Sequence, residues 1–98
     1  MDNLYKSLME IRKLPELYIG KKSLDRLYAY INGFLDCQQR LGYDYHSCLD
    51  GFQEFIEEKY NLGTDHDWAS IISFFSTTDE AAMRTFWNYF DEFMNSKK

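Results

Sequence analysis

The stretch Thr77-Thr78-Asp79-Glu80-Ala81-Ala82-Met83-Arg84-Thr85-Phe86-Trp87-Asn88-Tyr89-Phe90-Asp91-Glu92-Phe93-Met94 decides the class of fold. Ala82, Met83, Phe86, Trp87, Phe90, Phe93 and Met94 recur at intervals of three and four, the period of a helix with one buried face. Thr77 followed by Glu80 reads as a capping box, and Asp79 adds a negative charge where the helix dipole favours one. The spacing predicts a helix from that cap to about Ser96. Upstream, Asp65 is the expected cap of a short helix that turns Trp68, Ile71, Ile72 and Phe75 inward. Before it a helix is expected over about His46 to Asn61, with Leu49, Phe52, Phe55, Ile56 and Tyr60 inward and Asn61-Leu62-Gly63 as its stop. Ser23 reads as the N-cap of a helix carrying Leu24, Leu27, Tyr28, Ile31, Phe34 and Leu35 and ended by Gly42. Gly33 inside it costs about 1 kcal/mol relative to Ala, so another helix or ring is expected to approach closely there. The first helix, about Asn3 to Lys13, carries Leu4, Leu8 and Ile11, and Pro15 stops it. Residues 16–20 are expected to be a short extended connector whose apolar side chains fill the core. No segment alternates with period two, and there is no Val. The expected architecture is all-α: a single domain over residues 1–98, a bundle of about five amphipathic helices.

The chain holds 98 residues, room for one domain. Folded, it would expose about 5,900 Å², roughly a third of its unfolded surface. Eighteen aromatic residues give few side chains a large buried area each, which offsets the small size. No apolar run approaches a membrane span and the start lacks a signal-peptide pattern, so a soluble, cytoplasmic protein is expected. Cys37 and Cys48 are too few for a disulfide framework and read as small buried residues kept reduced. With His46 and His66 they form no spacing that zinc uses, so no metal or other cofactor is expected.

Catalytic patterns are equally sparse. The five glycines are never within eight residues of one another, which rules out a phosphate-cradling loop, a dinucleotide fingerprint or a nucleophile elbow. Asp65-His66-Asp67 sets an imidazole between carboxylates, but no nucleophile accompanies it, and it reads as a solvated capping turn. His46-Ser47-Cys48 are sequence neighbours, which on a helix point in different directions. No catalytic residue is assigned, and an enzyme is not expected.

Charge is more informative. The net charge of −5 divides into +2 over residues 1–43 and −7 over residues 44–98. The second half is expected to present an acidic field with almost no internal neutralisation. Such a field repels nucleic-acid backbones and steers basic proteins toward itself.

Three strings carry a resemblance. Residues Ile11-Arg12, Pro15, Tyr18-Ile19-Gly20 are followed by Ser23-Leu24, Leu27, Tyr30-Ile31 and Gly33-Phe34, and later by Trp68, Ile71-Ile72, Phe74, Ser76 and Asp79-Glu80-Ala81. Together they resemble the pattern of small bacterial immunity proteins of polymorphic toxin systems, including contact-dependent growth inhibition. The resemblance implies a helical protein that neutralises a cognate toxin, for instance a nuclease with a basic cleft. The charge pattern then points to a partner-binding face made of Asp44, Asp50, Glu54, Glu57 and Glu58, with Tyr43 and Tyr45 as anchors. The partner expected is a protein with a basic surface, with neither nucleic acid nor membrane involved. The alternative is a helical adapter that self-associates into a homo-oligomer through surplus aromatic surface.

Overall fold

A computed structural model describes residues 2–43, 46–63 and 65–97. Among the described residues the chain forms six helices and no strand: α1 (Asn3–Lys13), α2 (Pro15–Ile19), α3 (Leu24–Arg40), α4 (Phe52–Tyr60), α5 (Trp68–Phe74) and α6 (Asp79–Ser96). The all-α class follows from the stripes read in the sequence. Leu4, Leu8 and Ile11 of α1, Leu24, Leu27 and Ile31 of α3, and six residues of α6 are all buried.

α6 is the element on which the core is built, packing against α3, α4 and α5. Its Phe86 lies 5.0 Å from Trp68 of α5 and 5.7 Å from Phe52 of α4, ring centre to ring centre. Phe52, with no exposed surface, also meets Trp68 at 5.1 Å and Phe93 at 5.3 Å, both nearly edge to face. These are the separations and angles at which aromatic rings attract beyond their area. α1 joins α6 through Arg12, whose guanidinium forms two hydrogen bonds to the Asp91 carboxylate at 2.8 and 2.7 Å and lies over the Trp87 ring. The accessible surface is 6271 Å², near the about 5,900 Å² expected for a folded chain of this mass.

Several local expectations are corrected. Pro15 ends α1 by forcing Leu14 out of helical geometry, but its fixed φ also suits a first helical position, so it opens α2 where an extended connector was expected. Leu17 and Tyr18 of that helix face solvent; Pro15 is its buried residue. α2 ends at Gly20, whose φ of +87° lies in the left-handed region, and the Arg26 guanidinium donates to the Ile19 carbonyl at 3.0 Å. The helix expected from His46 begins only at Phe52. Gly51, also at φ +87°, breaks the helical path, and residues 48–51 form a turn instead.

Capping shifts too. Asp67, not Asp65, caps α5 by accepting from the Ser70 amide at 2.8 Å, and Thr78, not Thr77, caps α6 by accepting from Ala81 at 3.0 Å. Gly33 has no neighbour within 4 Å of where a Cβ would stand, so no close approach explains it. Cys48 is buried as expected, but Cys37 is exposed.

Candidate protein-binding face

α4 is amphipathic by a simple division. Phe52 and Ile56 enter the core, while Glu54 and Glu58, a helical turn apart, are exposed on its outer side with Glu57 half-buried beside them. These three carboxylates, with Asn61, Leu62 and Gly63, line an open groove of about 350 Å³. Asn61 makes the turn there possible. It takes a left-handed φ of 54°, and its amide and that of Leu62 donate to the Glu58 and Glu57 carbonyls, which closes the helix end.

Gln53 fixes this face against the next helix. Its carboxamide oxygen accepts from the Trp68 amide at 2.7 Å, and its nitrogen donates to the His66 carbonyl at 3.0 Å and to the Glu57 carboxylate at 2.9 Å. One side chain therefore supplies a partner to the first turn of α5, ties down the α4–α5 connection and orients one of the groove's acids.

Much of the acidic charge expected to stand free over the second half of the chain is engaged by other groups. Arg12 binds Asp91, Lys59 binds Glu92, and Lys22 and Arg84 approach Glu80 at 3.9 and 3.8 Å. Asp79 is spent on the Leu24 amide and Asp67 on the α5 cap. Glu54 and Glu58 have no ion-pair partner among the described residues. The near-absence of neutralisation expected from the linear count is thus corrected, because bases distant in sequence fold back onto α6.

Of the residues expected to bind a partner, Glu54, Glu57 and Glu58 come together in the groove. Asp50 lies in the turn before α4 with its carboxylate 2.8 Å from His46 Nδ1 and does not line the groove. Tyr43 is exposed just beyond α3, its amide donating to the Gln38 carbonyl, and it too stands outside the groove lining. Asp44 and Tyr45 lie outside the described residues.

The sequence reading missed the aromatic neighbour of this face. Phe75, expected in the core, is 55% exposed, and Phe74 is 82% exposed. Ile71 and Ile72 take the buried positions of α5, and the helix ends before Phe75 can follow them. The signal was present: four apolar side chains within five residues, Ile71-Ile72 and Phe74-Phe75, point to too many sides of so short a helix for all to reach one core. With Leu62, Gly63 and Ile71 the two rings line a notch of about 620 Å³. Among the described residues no group of three His, Cys, Asp or Glu side chains is placed to hold a metal ion, and no helix is long and apolar enough to cross a membrane. Comparison with protein-family models, curated proteins and solved structures finds no match to this chain.

Proposed function

We propose that this chain is a toxin-neutralising immunity protein that holds a basic protein toxin against the acidic outer face of α4. The observation that carries the reading is the pair Glu54 and Glu58, exposed and without a cationic partner among the described residues, while the α6 acids are otherwise engaged. Unpaired carboxylates on one rigid face create a local negative potential that attracts a cationic cleft and competes with the anion such a cleft normally takes. The resemblance to small bacterial immunity proteins supports the same reading. The proposal includes no catalytic step; inhibition is by occlusion.

The test is binding to the protein encoded beside this gene, with protection of cells expressing it. Glu54→Lys and Glu58→Lys together should slow association about tenfold and abolish most of its salt dependence. Glu57 is left unchanged because reversing it would also break the Gln53 contact. Association indifferent to salt and to the double reversal overturns the acidic-face mechanism. A second reading, self-association, is favoured by the exposure of Phe74 and Phe75. A dimer seen by sedimentation and dissolved by Phe74→Ser would support it.

A further inference from the structure

Resting on that reading, we propose that the notch beside the acidic groove is the anchor site for a partner's amphipathic segment, taking one large apolar side chain while lysines or arginines flanking it reach Glu54 and Glu58. Three observations carry this. The notch and the groove are contiguous, since Leu62 and Gly63 line both. They are fixed relative to each other, because Gln53 bonds at once to Glu57 on the groove side and to the His66 carbonyl and Trp68 amide on the α5 side.

The aromatic wall is also built before anything binds. Phe75 stacks on Tyr60 at 4.8 Å with the rings 12° apart, and Tyr60 in turn meets Tyr89 of α6 edge to face at 5.8 Å. Phe74 stands at 81° to Phe75, 5.1 Å away, so the two rings form a corner open to solvent. A preformed apolar corner loses little freedom when a side chain enters it.

Charge selects the occupant. Were a second copy to cover the notch by two-fold symmetry, the same patch would face itself and each groove's carboxylates would lie at the rim of the contact. Like charges placed so oppose association, whereas a cationic segment gains from the same geometry. The partner is therefore a different protein whose docking segment is apolar along one side and basic along the other.

The probe is a synthetic amphipathic helix with leucines along one side and lysines along the other, beside a control in which serine replaces every leucine. Binding is measured to the full chain by titration calorimetry, with thermal melting as a check on folding. Phe74→Ser should weaken the leucine peptide at least about tenfold and leave melting unchanged, because that ring is largely in solvent. Phe74→Leu should restore most of the affinity. The serine control should bind weakly and be indifferent to Phe74→Ser, yet remain sensitive to Glu54→Lys with Glu58→Lys. Loss of binding in the charge double mutant alone, with Phe74→Ser neutral, overturns the anchor site and leaves the acidic-face reading standing. Loss in Phe74→Ser alone, with the charge mutant neutral, overturns both. A dimer of the free chain that Phe74→Ser dissolves makes a second copy the occupant and overturns the proposal.

Discussion

Cys37 and Cys48 differ only in their surroundings, and that difference is measurable. Cys48 sits under the C-terminal end of α6, where Lys97 donates to its carbonyl at 3.1 Å, and burial pushes its thiol up to about 12. A thiol is nucleophilic only as thiolate, so Cys48 is inert in the folded protein. Cys37 is exposed. Native protein should react with one equivalent of a disulfide reagent and denatured protein with two, read from the released chromophore. Fast reaction of both thiols in the native state would mean that the turn over residues 48–51 opens readily.

Gln53 acts at the level of the element, because two of its three hydrogen bonds tie α4 to the first turn of α5 and to the connection before it, while the third stays within α4. Removing it leaves the Trp68 amide and the His66 carbonyl without that partner, at about 1–3 kcal/mol for groups partly withdrawn from water. Gln53→Ala should therefore lower the melting temperature by roughly 5–15 °C in a domain of this size. Gln53→Glu keeps the acceptor for Trp68 but loses the donors and sets a carboxylate against Glu57, so its Trp68 amide should exchange more slowly than in the alanine variant. How legible such features were depends on how local their causes are. The bounds of α1, the Ser23 cap of α3 and the left-handed stop at Asn61 could be read from periodicity and adjacent residues alone. α2 could not, because Pro15 both ends one helix and opens another, and the late start of α4 turned on the single residue Gly51. The acids of the groove were legible as charge on a helix. The aromatic corner was not, since which of Ile71, Ile72, Phe74 and Phe75 are covered depends on how α5 lies against α3, α4 and α6.

For the whole molecule, the ion pair from Arg12 to Asp91 joins the first helix to the last. The paired hydrogen bonds from Arg12 hold the Asp91 carboxyl below the ordinary aspartate value. Its contribution to stability is therefore fully present above the unfolded-state value of about 3.9 and is lost as pH falls through the lower folded value. Both side chains are substantially exposed, which keeps the contribution of the charge within about 1 kcal/mol. Asp91→Asn should melt a few degrees below wild type at neutral pH, and the two melting curves should converge as the solution is acidified. A gap that persists undiminished in acid would assign the effect to packing around Trp87 instead of the ion pair.

The packing of α6 also bears on the order in which the chain is made. α6 covers faces of α3, α4 and α5, among them the rings of Phe52 and Trp68 that its Phe86 meets, and it is the last of these helices to leave the ribosome. Until it emerges those side chains have no complete core to enter, and the nascent helices present an open apolar groove to chaperones and to one another. Folding therefore waits on a single late segment, and a stop codon anywhere before Asp79 would yield a polypeptide handled by the cell as misfolded, even though most of its helices had already been translated.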